Sequence, residues 1–343
     1  MYIRSPRCFC RCAVKILIPD TIFDDDHGIE RVAATPCALE IDRAVQPGEI
    51  SDDRWASADA LVAHHLMTYG GEVATRAKNA RILVRVGVGV DNIDLPVWAD
   101  KGIPVCNVPG YGTGEVADHA LSLVLSLLRG TTDYRDRLST LAEPVFDRLP
   151  LPVTMRRAAG LNCLVVGFGQ IGRAFATRAS ALGMNIGAAV REVGTDLAEY
   201  PSCRCFATLE EGLAWADIVS LHLPLNAETA NLIDADSLRQ MKPDALLINT
   251  ARGGLVDTGA VVGALQENRL GGVGLDVFPV EPLPAVDPLV LGLNHGAAWA
   301  RGRVVLTPHV GGVSPQALEE LRRRSVETAR DYLVDGVLNN RVA

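Results

Sequence analysis

The stretch LNCLVVGFGQIGRAFATRASALG, residues 161–183, constrains this chain more than any other. An apolar run of β-formers ends at Gly167, and Gly169 and Gly172 follow at the spacing G-x-G-x-x-G before a helix-forming segment. The first glycine permits a tight turn, the second lets a ligand approach the backbone, and the third lets helix and strand pack closely. The helix N-terminus then offers free N–H groups and the positive end of its dipole to phosphates. In a strand–turn–helix context this pattern points to a dinucleotide site, with Gly167, Gly169 and Gly172 as its contacts.

A dinucleotide site of this type normally carries an acid about 20 residues further on, to accept hydrogen bonds from the adenosine ribose. Here the stretch IGAAVREVG, residues 186–194, puts Val190 there, followed by Arg191 and Glu192. Valine accepts nothing, whereas the planar fork of Arg191 suits a 2′-phosphate. The stretch therefore leans toward NADP over NAD. Glu192, if turned inward, restores a ribose acceptor and repels the phosphate, so both cofactors stay open.

Strand-like apolar runs recur along the chain, at residues 13–19, 58–65, 80–87 and 102–109, and again at 161–169, 185–190, 203–208, 217–224, 245–250, 272–278 and 303–309. Helix-forming segments separate them, which predicts parallel sheets with helices on both faces. Residues 114–130 are apolar nearly all round and predict a helix buried on most sides. Residues 131–158 are charged and Pro-punctuated, as in an excursion or subunit-contact arm. Residues 314–336 predict a long amphipathic helix, entered through Ser314 as cap and Pro315 in the first turn.

With 343 residues there is room for two domains with real cores. A net charge of −8 argues against a nucleic-acid surface, and the run Arg322–Arg323–Arg324 among glutamates reads as a solvated helix face. No apolar stretch is long enough to span a bilayer, and the N-terminal run reads poorly as a signal peptide, so a cytoplasmic location is expected. The eight cysteines show no C-x-x-C spacing and no histidine pair at zinc-finger distance, so free thiols and no metal are expected. Residues 1–12 read as a flexible leader.

Three runs after the glycine turn end in chemically useful residues: Arg252 in INTARGGLVD, Glu281 in GLDVFPVEP and His309 in LTPHVGG. Ligands of open α/β sheets bind beyond the carboxyl ends of the strands, where all three are expected. Hydride exchange between a nicotinamide and a carbonyl needs a proton donor at oxygen in one direction and a base in the other. Histidine suits that work, a carboxylate on its other ring nitrogen fixes the ring, and a guanidinium polarises a carbonyl or pairs with a carboxylate. Arg85, just ahead of the glycine turn VGVG at residues 86–89, reads either as a second carboxylate ligand or as a domain-edge ion-pair partner. His295 is a rival histidine in a glycine-rich loop, and His222 reads as a cofactor neighbour or core filler.

Taken together, RVGVGVDNIDL, GIPVCNVPGYGTGEVADHAL, the glycine turn, LHLPL, MKPDALLINTARGGLVD, GLDVFPVEP and TPHVGG resemble the D-isomer-specific 2-hydroxyacid dehydrogenase family. The likeness runs from about Ala13 to the end. It implies an α/β fold of two Rossmann-like, doubly wound parallel-sheet domains with a cleft between them. Residues 13–112 plus 313–343 would form a discontinuous substrate domain and residues 113–312 the dinucleotide-binding domain. It implies Arg252, Glu281 and His309 as catalytic residues, and cofactor contacts at Gln170, Ile171, Pro224, Thr250, Ala251 and Asp276. It also implies substrate-carboxylate binding by Val86 and Gly87 of the VGVG turn, and a homodimer formed through the cofactor domains.

The segments VRVGVGVDNID and VCNVP are further similar to the C-terminal-binding-protein corepressor branch, which would put Arg85 and His64 on the substrate side. The expected activity is hydride transfer between NAD(P)H and a small 2-oxoacid or D-2-hydroxyacid. The alternative is a dinucleotide-sensing interaction protein of the corepressor type. A non-carboxylate substrate such as formate fits less well with a paired Glu281 and His309, and the end of the chain soon after the last helix weighs against 3-phosphoglycerate.

Overall fold

The computed structural model describes residues 14–140, 150–189 and 202–343. The leader, and with it Cys8, Cys10 and Cys12, lies outside these residues, as do Val190, Arg191 and Glu192. The described chain divides into two compact units, one running to Tyr111 and resuming at Ser314–Ala343, the other spanning Gly112–Val313.

In the first unit the order is β1 (Lys15–Ile18), α1 (Gly28–Ala34), β2 (Ala38–Ile41), α2 (Asp52–Ser57), β3 (Ala60–Ala63), α3 (Gly71–Arg76), β4 (Ile82–Arg85), α4 (Leu95–Asp100) and β5 (Val105–Cys106). The five strands are all parallel in the order β2-β1-β3-β4-β5. Ile16, Leu17, Leu61, Ile82, Leu83 and Val84 are fully buried, because a parallel sheet is covered on both faces. That is why these strands read as continuous apolar runs rather than alternating ones. Strand order reverses between β1 and β3, so the loops after those two strands flank the crevice where such sheets bind ligands.

The second unit contains α5 (Thr113–Arg129), α6 (Thr131–Thr140), β6 (Asn162–Val166), α7 (Gln170–Ala181), β7 (Asn185–Ala189), β8 (Arg204–Phe206), α8 (Leu209–Trp215), β9 (Ile218–Leu221), α9 (Ala235–Gln240), β10 (Leu246–Asn249), α10 (Thr258–Gln266), β11 (Gly272–Leu275), α11 (Pro288–Asn294) and β12 (Val304–Leu306). Its seven strands are also parallel, in the order β12-β11-β10-β9-β6-β7-β8. The order reverses between β6 and β9, at the glycine turn. Helix α5 packs on α7 and on the sheet, and only Asp118, Ser122 and Arg129 are exposed along it.

The last helix, α12 (Pro315–Asp335), belongs to the first unit and starts as its sequence predicts, with the Ser314 hydroxyl accepting from the Ala317 N–H. The arginine run on it departs from the solvated face expected. Arg323 and Arg324 do pair with Glu327 and Glu320 one helical turn away. Arg322 instead is buried, forked onto Asp25 and Glu30 at 2.6 Å each and stacked 4.2 Å from the Phe23 ring centre. Residue 322 falls on the buried face of α12 with Leu321, Ser325 and Ala329, where a guanidinium is tolerated because two carboxylates meet it.

Candidate active site

The glycine turn follows β6. Gly167 has φ +91°, and a Cβ there would stand 2.5 Å from the His222 carbonyl oxygen. A Cβ on Gly172 would overlap the Gly167 carbonyl, so helix and strand approach as only glycine permits. A Cβ on Gly169 would meet none of the described residues within 4 Å. No side chain among the described residues caps α7, and its ladder begins with the Arg173 N–H donating to the Gly169 carbonyl. The amides of Gln170, Ile171 and Gly172 therefore precede that ladder, and this cradle fits a pyrophosphate.

Thr250, just after β10, adds a second sign of a ligand: its hydroxyl is buried without a hydrogen-bond partner among the described residues. Pro224 is exposed after β9. His222 hydrogen-bonds Ser220 through Nε2 at 2.8 Å and packs 5.0 Å from the Phe175 ring. Burial pushes its pKa down to about 3, so it is a neutral group packed under α7.

Arg252, Glu281 and His309 follow β10, β11 and β12, three neighbouring strands whose ends line up. Asn249 shapes the first loop: its Oδ1 accepts from the Ala251 N–H at 3.0 Å, and its Nδ2 donates to the Arg252 carbonyl at 2.8 Å. Arg252 Nη1 donates to the Ala251 carbonyl at 2.7 Å. Gly253 lets that loop lie directly on the next, since a Cβ there would overlap the Phe278 carbonyl and the Pro279 nitrogen. The Phe278 N–H donates to Glu281 Oε1 at 2.9 Å, which leaves Oε2 to take the His309 Nδ1–H at 2.7 Å. The pair is partly open to solvent, with the His309 side chain 50% exposed and that of Glu281 35%. With Nδ1 committed to the carboxylate, Nε2 is the nitrogen left for a substrate.

His309 has φ +54°, a left-handed conformation that costs a non-glycine residue about 1–3 kcal/mol. Asp276 holds it there. The His309 N–H donates to the Asp276 carbonyl at 2.8 Å. The Asp276 carboxylate, 1% exposed, accepts from the Thr307 hydroxyl at 2.6 Å, the Val310 N–H at 2.9 Å and the Gly311 N–H at 2.8 Å. In this structure the carboxylate thus serves the loop at residues 307–311, beside the cofactor contact expected of it.

His119, on α5, completes the cluster with Nε2 at 2.8 Å from Thr307 Oγ1 and 3.3 Å from Asp276 Oδ1. Sequence reading missed His119 and Thr307. The available signal was a histidine in a helix read as buried on most sides. Also missed was a cavity of about 340 Å³ beside the Glu281–His309 pair, walled by Phe278, Pro282, Leu283, Leu293, Leu306 and Pro308. His295 caps the C-terminal end of α11.

Four expected site residues stand in the first unit, at the ends of β3 and β4. His64 is 3% exposed, and burial, aided by the charges of His65 and Arg85, pushes its pKa down to about 3. The Val86 N–H continues the strand ladder to the Ala63 carbonyl at 2.8 Å, and the Gly87 N–H turns back to the Arg85 carbonyl at 3.0 Å. A substrate carboxylate at Gly87 would compete with the second of these bonds. Arg85 folds its Nη1 over the turn onto the Val86 carbonyl, and a Cβ on Gly87 would overlap that guanidinium.

Comparison with known proteins places this geometry. Residues 121–311 match the model of the D-isomer specific 2-hydroxyacid dehydrogenase NAD binding domain. A (S)-sulfolactate dehydrogenase of Chromohalobacter salexigens is 36% identical over 81% of this chain and 85% of its own length. A D-3-phosphoglycerate dehydrogenase of a Synechocystis strain is 32% identical over 93% of this chain, which spans 54% of that relative's length. Among solved structures, a glyoxylate/hydroxypyruvate reductase of Sinorhizobium meliloti with NADP and malonate is 26% identical, with TM-score 0.80 over 97% of each chain. A D-lactate dehydrogenase of Aquifex aeolicus with NAD and lactic acid is 26% identical, with TM-score 0.78 over 95% of this chain and 98% of that one. The chain belongs to the D-isomer specific 2-hydroxyacid dehydrogenase family. Its second unit carries the family's NAD-binding domain. The likeness to the corepressor branch gains no support from these relatives.

Proposed function

We propose that this chain is an NAD(P)-dependent reductase of small 2-oxoacids, working in reverse as a D-2-hydroxyacid dehydrogenase. The observation that carries the reading is the 2.7 Å bond between His309 Nδ1 and Glu281 Oε2 at the ends of adjacent strands, with Arg252 at the end of the next. Gly167, Gly169, Gln170, Ile171 and Gly172 would hold the pyrophosphate, with Pro224, Thr250, Ala251 and Asp276 further along the cofactor. A bound reduced nicotinamide supplies the hydride. Arg252 binds the substrate carboxylate and polarises the neighbouring carbonyl. His309 gives a proton from Nε2 to the carbonyl oxygen and takes it back in the oxidation. Glu281 fixes the ring through its bond to Nδ1. The substrate-carboxylate role of Val86 and Gly87 rests on the family resemblance and requires their N–H groups to leave the Ala63 and Arg85 carbonyls, while a substrate-side role for Arg85 and His64 rests on the likeness to the corepressor branch alone.

Support for NADP over NAD comes from Val190 and Arg191, read from sequence alone. The functional unit is proposed to be a homodimer, which light scattering on the purified chain tests. The decisive assay is reduction of glyoxylate, pyruvate and hydroxypyruvate with NADPH and with NADH. Turnover is expected with at least one acid, faster with NADPH, and His309→Ala should lose about 10²–10⁴-fold in kcat while still binding cofactor. Tight nucleotide binding with no turnover of any acid would replace this reading with the sensor. A strong NADH preference would show that Arg191 does not read a 2′-phosphate.

A further inference from the structure

The hydrogen bonds around Asp276 have a direction. A buried carboxylate only accepts, so the single proton of the Thr307 hydroxyl goes to Asp276 Oδ1, 2.6 Å away. Thr307 Oγ1 must then accept from His119, whose Nε2 carries a proton and lies 2.8 Å from it. The same N–H is 3.3 Å from Asp276 Oδ1. His119 therefore sits at the head of a chain that runs His119 to Thr307 to Asp276, and Asp276 in turn receives the N–H groups of Val310 and Gly311.

Every other member of this chain belongs to the ends of β11 and β12. His119 comes from α5, a helix of 17 residues whose Ala117, Ala120, Leu123, Val124, Leu127 and Leu128 are buried in the core. It is the tie between the loop that carries His309 and a rigid helix. Gly311 makes room for it: a Cβ there would stand 2.8 Å from Asp276 Oδ2 and 3.4 Å from the His119 ring. Between the tied residues Thr307 and Val310 lies His309, in its left-handed conformation. Such a conformation persists only where the surroundings over-determine it.

We propose that His119 is a positioning residue for the reaction assigned above: through Thr307 and Asp276 it holds the backbone of residues 307–311 that presents His309. The inference rests on that reading for its effect on turnover, but not for its effect on the loop. Three variants test it: His119→Leu removes the donor, His119→Gln restores an N–H at the place of Nε2, and Thr307→Val removes the relay without changing its shape.

Two readouts are needed. One is kcat and KM with the best 2-oxoacid, and the other is amide hydrogen exchange at Val310 and Gly311 in the whole protein. His119→Leu and Thr307→Val should each lower kcat about tenfold or more, with KM and cofactor Kd changed less than threefold. They should also speed exchange at both amides by about tenfold, and His119→Gln should recover most of each loss. Unchanged protection at Val310 and Gly311 in the leucine and valine variants would overturn the proposal, and so would a glutamine variant as impaired as the leucine one. Should the leucine variant not fold, the valine and glutamine variants decide between the same outcomes. Faster exchange in a protein whose wild type reduces no 2-oxoacid would sustain the positioning and remove the reaction.

Discussion

Each unit buries one aspartate just past the end of a strand, and the two behave oppositely. Asp20 follows β1 and accepts from the His64 N–H at 2.8 Å, the Leu66 N–H at 3.0 Å and the Tyr69 hydroxyl at 2.6 Å. Asp276 follows β11 and likewise accepts two backbone N–H groups and one hydroxyl. Burial dominates at Asp20 and raises its pKa above the ordinary 3.8 despite those bonds. At Asp276 burial also pushes upward, but the bond from His119, followed by those from Thr307, Val310 and Gly311, outweighs it and the pKa falls below 3.8. Asp276 has a histidine donor that Asp20 lacks, and the burial that opposes charge weighs more heavily at Asp20. Similar backbone cradles thus give a carboxyl whose charge is resisted in one unit and a carboxylate whose charge is held in the other. The held charge lies beside His309, and the resisted one lies under the loop that begins with the neutral His64.

The comparison breaks most visibly by removing charge at the two places. Asp276→Asn should cost about 1–3 kcal/mol at pH 7, because a buried donor loses its acceptor, and should lower turnover about a hundredfold through the His309 loop. Asp20→Asn should cost under about 1 kcal/mol, since it also removes a charge that burial opposes. Urea unfolding and steady-state kinetics measure both, and equal losses for the two variants would erase the distinction drawn here.

Asn249→Ala comes next. It opens the Ala251–Arg252 turn without changing the Arg252 side chain, so KM for the 2-oxoacid should rise about tenfold with little change in cofactor Kd. An unaltered KM would show that Arg252 is set by other contacts. Tyr69→Phe, which deletes one hydroxyl from the Asp20 cradle, should cost about 1 kcal/mol and leave kcat within twofold.

A pH series gives the smallest effect and sharpens the contrast. The depressed pKa of Asp276 adds stability that is present above about pH 4 and is lost as pH falls through the folded-state value. The raised pKa of Asp20 works the other way: its contribution is complete below about pH 4 and is lost as pH rises through the folded-state value. The gap between wild type and Asp276→Asn should therefore shrink on acidification below pH 4. Asp20→Asn should gain on wild type as the pH rises above it. Parallel stability curves for wild type and both variants would contradict both directions.

Much of the fold was legible because its strands are buried on both faces and separated by helices, so Ile16–Leu17–Ile18 and Leu164–Val165–Val166 announce themselves. The positions of Arg252, Glu281 and His309 at strand ends were legible because glycine or proline stands beside each. His119 was not, because nothing in a helical period says which neighbouring loop a side chain will meet. Asp20 carries no local signal of its role, since the donors that meet its carboxylate lie 44 to 49 positions away. The buried Arg322 was misread because three consecutive arginines look solvated unless the facing carboxylates, nearly 300 positions distant, are known.

By itself the sequence determined the local matters: where the chain turns at Gly167, where α7 and α12 begin, and which residue types could move a proton or bind an anion. These follow from backbone freedom, missing side chains and intrinsic acidity, which act over a few residues. Tertiary structure alone decided that β6 and β9 lie side by side, that Glu281 spends one oxygen on a backbone amide and the other on His309, and that a helix formed 188 residues before Thr307 supplies the donor it accepts. Hydrogen bonds and burial depend on distances of a few ångströms, and only the folded chain sets those between residues so far apart in sequence.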